Sequence, residues 1–273
     1  MRKKRPKSLV LFGNGINCER ETFFAHELAG FSPDLIHIYE LLERPHIIHR
    51  YAFITLPGGF LDGDDLGSAK AQAVKWKYQP LKGRQGYFID ELIKFVNDGK
   101  CILGICNGFQ LLVKTGLLPG LGGSYKEQTA TLTFNDSGKF EDRWVYLKVN
   151  KGSPCIFLLG LDHLYLPVRH GEGKFVAKDE EVLKRIKEEN HIGLQYTDRE
   201  GYVTHLYPWN PNGSQEAIAG ICDRTGRIFG LMPHPEAYVD RFQHPRWMRE
   251  KLPSLPDGLC IFKNAYAYCA QNL

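Results

Sequence analysis

Gly104-Ile105-Cys106-Asn107-Gly108-Phe109-Gln110 follows directly on the apolar run Cys101-Ile102-Leu103. The apolar run predicts a short buried strand over 100–105, and 107–115 predicts the helix that it feeds. A strand that turns at once into a helix places the residue between them on a sharp bend. Small residues on either side let the backbone make that bend and keep the sulfur accessible. The helix aims its free N–H groups and its positive end back at the thiol. Both features suit a nucleophilic sulfur. Taken alone, the segment is equally a tight turn around a small core residue.

The surrounding pattern sets the fold class. Residues 8–13 read as a short buried strand, 18–30 as a helix, and 52–56 as a second strand closed by Pro57-Gly58-Gly59. A helix is expected over 84–98, with Phe88, Leu92, Phe95 and Val96 on one face and Gly99 just past its end. Such alternation predicts an α/β fold, an open and mostly parallel sheet with helices on both faces. From 129 to 232 the pattern shifts to short β-like runs at 129–134, 144–149, 164–168, 192–196, 218–222 and 228–231. One helix interrupts them at 178–190. No repeat or low-complexity linker divides the chain, so one domain is expected over 8–273 after a basic tail at 1–7. Ligands of such sheets gather outside the carboxyl ends of the strands, where both Pro57-Gly58-Gly59 and Cys106 fall.

The 273 residues hold 43% hydrophobic side chains, ample for a large core. No apolar run approaches a membrane span. Arg2, Lys3, Lys4, Arg5 and Lys7 account for the basic character, since without them the formal net charge of +4 becomes −1. No secretory apolar region follows them, because Gly13-Asn14-Gly15 closes the first strand. A solvated terminus, not a nucleic-acid arm, is the expected reading. The seven cysteines include no Cys-x-x-Cys pair, and Cys101, Cys155, Cys222, Cys260 and Cys269 suit buried thiols of a reducing, cytoplasmic compartment. No metal site is expected.

A candidate partner for Cys106 lies 128 positions on, at His234-Pro235-Glu236. Pro235 favours an extended His234, and residues i and i+2 of an extended segment point to one side. A carboxylate beside an imidazole fixes its tautomer and stabilises its charged form, the orienting role in a nucleophile–base–acid triad. Alone, His-Pro-Glu is also an ordinary surface turn.

Together the two segments resemble the class I (triad) glutamine amidotransferases. Within that family the chain looks most like the glutaminase subunits of phosphoribosylformylglycinamidine synthase. The narrower resemblance rests on segments spread from about residue 9 to the C-terminus. They include Gly15-Ile16-Asn17-Cys18-Glu19-Arg20-Glu21-Thr22, Leu56-Pro57-Gly58-Gly59-Phe60-Leu61-Asp62-Gly63-Asp64 and Asn135-Asp136-Ser137. Leu166-Pro167-Val168-Arg169-His170-Gly171-Glu172-Gly173 and Asn210-Pro211-Asn212-Gly213-Ser214 are the most specific. One departure stands at Ala237, where family members usually carry arginine. Leu66-Gly67-Ser68-Ala69-Lys70 is closer to the glutaminase domain of the large fused synthases.

The resemblance implies a flavodoxin-like fold and hydrolysis of the side-chain amide of L-glutamine. Cys106 would be the nucleophile, His234 the general base and acid, and Glu236 its orienting partner. The backbone N–H groups of Gly59 and Asn107 would form the oxyanion hole, with Gly58 giving the loop room to turn. Gly58, Gln110, which lies one helical turn past the nucleophile, and His170 would contact the substrate. Ammonia would pass to a large synthetase subunit, with a small accessory subunit completing the assembly. ATP and magnesium would belong to the synthetase, since this chain has no Gly-x-x-x-x-Gly-Lys-Ser/Thr loop and needs no cofactor. The Pro57-Gly58-Gly59-Phe60 loop is expected to be mobile until the partner docks. Cys18, with no histidine in a matching motif, is expected to be structural or pocket-lining.

Three other readings remain open: a class I glutaminase serving another synthetase, a stand-alone cysteine hydrolase acting on γ-glutamyl or peptide bonds, and a scaffold subunit with a vestigial triad. The family-specific loops favour the purine reading over the first. Partner dependence separates it from the second.

Overall fold

The computed structural model describes residues 5–83 and 85–273. Arg2, Lys3 and Lys4 of the expected tail lie outside the described residues. In chain order the helices are α1 (Glu19–Ala29), α2 (Ile38–Glu43), α3 (Lys70–Tyr78), α4 (Phe88–Asn97), α5 (Asn107–Thr115), α6 (Glu180–Glu188) and α7 (Asp257–Asn272). The strands are β1 (Lys7–Phe12), β2 (Ser32–His37), β3 (Phe53–Leu56), β4 (Cys101–Ile105), β5 (Ala130–Thr133) and β6 (Glu141–Val149). They continue with β7 (His163–His170), β8 (Lys174–Ala177), β9 (Ile192–Thr197), β10 (Ile218–Cys222) and β11 (Ile228–Leu231).

Nine strands form one sheet in the order β2-β1-β3-β4-β11-β10-β9-β6-β7, and β5 pairs with β8 apart from it. The first five run parallel, which is the expected core. β10, β9, β6 and β7 extend it in antiparallel fashion and correspond to the β-like runs read after residue 129. Lys7 opens β1 instead of belonging to a tail, and its ammonium lies 3.3 Å from Asp34.

Alternating side-chain direction decides what each face of the parallel half meets. Phe53 and Thr55 of β3 face α1, where His26 stacks on the Phe53 ring and bonds to Thr55 Oγ1 at 2.8 Å. The same histidine bonds to Ser8 Oγ at 2.8 Å and packs against Phe262 of α7. Leu56, Gly104 and Gly230 face the other way, towards α5. There α3 packs on α5, and α4 on α3. Helices therefore cover both faces.

The turn before β11 is held by the buried Asp223 carboxylate. It accepts from the backbone N–H groups of Arg227 and Ile228 at 3.1 and 3.0 Å and from the Tyr125 hydroxyl at 2.8 Å. That fixes the strand whose carboxyl end delivers His234.

Candidate active site

Gly104 and Gly108 do not supply the bend at Cys106; they let α5 close on the sheet. A Cβ at 108 would stand 1.9 Å from the Leu56 carbonyl oxygen, and one at 104 would stand 2.6 Å from that of Gly108. The bend falls on Cys106 itself, at φ 51° and ψ −104°. A non-glycine residue held there costs roughly 1–3 kcal/mol, which the surrounding packing must sustain. The Cys106 N–H donates to the Leu231 carbonyl at 2.8 Å, tying the elbow to β11. Its sulfur is nearly buried and faces a cavity of about 400 Å³, 3.6 Å from the Arg169 carbonyl oxygen.

His234 follows β11, and its N–H donates to the Pro167 carbonyl of β7 at 2.8 Å. Its Nδ1 lies 2.6 Å from Glu236 Oε1, and the two side chains are only 3% and 1% exposed. Burial alone would lower the imidazole's pKa. The charges of Glu236 and Cys106 outweigh it and hold His234 well above the ordinary histidine value. Nε2 has no hydrogen-bond partner among the described residues, and neither has Glu236 Oε2. Gly58 separates the two motifs: a Cβ there would stand 2.7 Å from His234 Cε1 and 3.4 Å from Cys106 Cβ. Cys106 and His234 both line that cavity, and Glu236 holds the imidazole from Nδ1.

Gly59, Gln110 and His170 line the same cavity. Among the described residues, neither Gly59 N–H nor Asn107 N–H donates a hydrogen bond. The loop carrying Gly59 is not free, contrary to the expectation from its glycine pair. Asn17 N–H donates to the Gly58 carbonyl at 3.3 Å, Phe60 N–H to that of Gly15 at 2.7 Å, and Leu61 N–H to Asn107 Oδ1 at 3.3 Å. Glycine at 59 (φ 140°) serves close approach, because a Cβ would stand 2.5 Å from the Gly15 carbonyl oxygen.

The segments most specific to the resemblance prove to build one loop, residues 170–173. Asn135 Nδ2 donates to the His170 carbonyl at 2.8 Å, and its Oδ1 accepts from Gly173 N–H at 2.9 Å. That oxygen also lies 3.1 Å from His170 Nδ1, which must be the donor because Oδ1 only accepts. Asn212 Nδ2 holds the Gly173 carbonyl at 2.8 Å. Gln110 Nε2 then donates to the Glu172 carbonyl at 2.5 Å. Burial, with the charge of His234, lowers the His170 pKa to about 3, so this ring stays neutral.

Cys18 lines the cavity with its sulfur 3.9 Å from His234 Nδ1, a proximity that nothing in its local sequence signals. Burial pushes its thiol pKa up. Ligand atoms of Cys18, His234 and Glu236 lie within 4.8 Å of one another, a spacing a metal ion can bridge. Nδ1 is already committed to Glu236. Asp64, Ser68 and Glu172 line the same cavity, and sequence reasoning named neither Asp64 nor Ser68 as a site residue.

A glutamine amidotransferase domain model of the CobB/CobQ-like type matches residues 5–269. The chain is 46% identical to the phosphoribosylformylglycinamidine synthase subunit PurQ of Dehalococcoides mccartyi, covering 97% of this chain and 98% of that one. It is 42% identical to the PurQ subunit of Methanococcus maripaludis strain S2, over 98% and 99% of the two chains. Among solved structures, a chain of PurLQS from Thermotoga maritima matches with a TM-score of 0.68 and 30% identity, covering 97% of this chain and 99% of that chain.

Proposed function

Since this chain belongs to the class I glutamine amidotransferases, in the branch of the PurQ subunits, we propose that it is the glutaminase subunit of phosphoribosylformylglycinamidine synthase. The observation that carries this reading is that the strained Cys106 elbow and the buried, Glu236-bound His234 line one cavity, in a chain related to PurQ subunits over nearly its full length.

The Cys106 sulfur attacks the carboxamide carbon of L-glutamine. The carbonyl becomes an oxyanion, for which the N–H groups of Gly59 and Asn107 are the available donors. His234, charged and steadied by Glu236, gives its proton to the nitrogen, and the C–N bond breaks to release ammonia. A γ-glutamyl thioester remains on Cys106. His234, now neutral, takes a proton from water as it attacks the thioester carbon. The C–S bond breaks, glutamate leaves and the starting ionisation is restored. Loss of one oxyanion donor typically raises such a barrier by about 3 kcal/mol.

Ammonia released into bulk water is wasted, so the reaction makes sense against a synthetase subunit of the PurL type. That subunit uses the ammonia and ATP to convert formylglycinamide ribonucleotide into formylglycinamidine ribonucleotide, and a small third subunit joins them. ATP and magnesium belong to the synthetase. No described helix is long and apolar enough to cross a membrane. All seven thiols are unpaired, which suits the reducing cytoplasm in which we place the complex.

Glutamate release from glutamine, measured for the free chain and for the complex loaded with ATP and formylglycinamide ribonucleotide, tests the reading. Turnover should rise on assembly. The pinned Gly58-Gly59 loop leaves rotation of the Cys106 thiol away from the Arg169 carbonyl as the step for the partner to favour. Equal turnover in both states would instead support a stand-alone hydrolase.

A further inference from the structure

A second cavity, of about 750 Å³, lies at the opposite end of the sheet from the triad. Lys7, Ala52 and Lys100 line it, at or just before the amino ends of β1, β3 and β4. Cys106 follows the carboxyl end of β4, a strand length of roughly 16 Å further on. The walls are pinned. Ser32 N–H donates to the Pro6 carbonyl at 3.0 Å, and Ala52 N–H to that of Lys7 at 2.9 Å. The Tyr268 hydroxyl donates to the Gly99 carbonyl at 3.0 Å, which ties the last turns of α7 to the turn before β4.

Arg5, Lys7, Arg50 and Lys100 line this cavity, and among the described residues no aspartate or glutamate does. Lys7 is engaged by Asp34 at 3.3 Å. Asp98, whose charge Lys100 feels, is held instead by Lys94 at 2.7 Å. Arg5, Arg50 and Lys100 make no ion pair among the described residues. The Lys100 ammonium gives one donor to the His49 carbonyl at 2.6 Å and has two more to offer. Burial lowers its pKa, as befits a cation held without a counter-charge.

The rest of the lining has the opposite character. Leu273 contributes a carboxylate, and the last turn of α7 carries the helix's unpaired carbonyls. Asn272 Nδ2 donates to the Tyr268 carbonyl at 2.8 Å, which leaves its Oδ1 as an acceptor. Tyr51 and Tyr266 add aromatic surface. Set against the Leu273 carboxylate, the three unpaired cations leave two positive charges unmatched. The fitting ligand therefore has two or more negative charges at one end and N–H or O–H donors at the other. The volume far exceeds that of a free phosphate and falls within the range of small-molecule sites, about 300–1,000 Å³.

We propose that this cavity binds a nucleoside di- or triphosphate, with the phosphates against Arg5, Arg50 and Lys100 and the sugar and base against the end of α7. Arg5 and Lys7 belong to the basic stretch of residues 2–7, to which the glutaminase chemistry gives no role.

Titration calorimetry of the full chain with ADP, without magnesium, tests the site, and pyrophosphate and adenosine separate the contributions of phosphate and base. ADP should bind at least about tenfold more tightly than either, since each lacks one half of the complement. Arg50→Ala and Lys100→Met should each weaken ADP about tenfold or more, because each removes a charge-assisted hydrogen bond. Glutamine turnover by the assembled synthase should stay within about twofold in both variants, which also shows that they fold, because the two cavities are far apart. ADP binding no tighter than pyrophosphate would reduce the cavity to an anion-attracting surface and overturn the nucleotide site. So would an ADP affinity unchanged in both active variants. A single-stranded oligouridylate that displaces ADP and weakens in the same variants would make this face a nucleic-acid surface and overturn the proposal as well.

Discussion

Gly58 lies against the face of the site so closely that a Cβ there would stand 2.7 Å from Cε1 of His234. The imidazole cannot retreat without breaking its 2.6 Å contact with Glu236. Gly58→Ala should therefore leave the fold intact and displace the ring. Misplacement of a catalytic group by a fraction of an ångström to an ångström costs about 10²-fold in rate. We expect kcat for glutamine to fall by roughly that factor, with ammonia-dependent synthesis by the complex unchanged. A variant with normal glutamine turnover would show that the ring is not held where the structure places it.

His234 and Glu236 should differ in weight. The imidazole moves protons, whereas the carboxylate orients it and supports its charge. Turnover should fall further for His234→Asn than for Glu236→Gln. The carboxylate also has a signature of its own. Glu236 is the first of the charges that hold the His234 pKa up against burial, so Glu236→Gln lowers it. The imidazolium then loses its proton at lower pH, and the alkaline limb of kcat/KM shifts downward. An unmoved limb, or the reverse order of losses, would give the carboxylate a different role.

Two thiols share the cavity, and only one should react. Cys18 lies 3.9 Å from His234 Nδ1, but that nitrogen is taken by Glu236, and burial raises the thiol's pKa. A glutamine-derived chloroketone should modify Cys106 in wild type and in Cys18→Ser, and should fail to modify Cys106→Ala within the same time. Cys106→Ala should also abolish glutamine-dependent synthesis while ammonia-dependent synthesis persists in the partner subunit. Rapid labelling of Cys18 in the alanine variant would reassign the nucleophile.

How much of this was legible in the sequence follows from what each residue had to satisfy. β4, α5, β10 and β11 were read to within a residue because they are apolar and buried, with clear punctuation. β2 was missed because an edge strand pairs on one side only, which lets Pro33 and Asp34 stand in it. α3 and α7 were missed because their apolar residues do not form a single stripe. The motifs named Cys106, His234 and Glu236, whose roles depend on short spacings. Asp64 and Glu172 depend on a meeting across 108 residues through Ser68, which no local pattern encodes. The glycines of the elbow were recognised for the wrong physical reason: they accommodate packing, and the unusual backbone angle is carried by the cysteine.

The core contains a pH-sensitive group remote from the chemistry. His26 is fully buried between β1, β3 and α7, and both ring nitrogens are matched by the hydroxyls of Ser8 and Thr55. Burial lowers its pKa to about 3, against an ordinary value of 6.5. Between those values the unfolded chain binds a proton that the folded chain refuses, so stability is full above pH 6.5 and declines as pH falls towards 3. The total penalty is about 5 kcal/mol, and the part felt between pH 7.5 and 5.5 is about 1.4 kcal/mol. His26→Gln keeps a donor and an acceptor but cannot titrate. Urea unfolding of both proteins at pH 7.5 and 5.5 should show the variant less stable at the higher pH, since it loses the stacking on Phe53. It should then lose about 1.4 kcal/mol less than wild type on acidification. Identical losses in the two proteins would mean that His26 is protonated in the folded state, and that the buried hydroxyl pair does not hold it neutral.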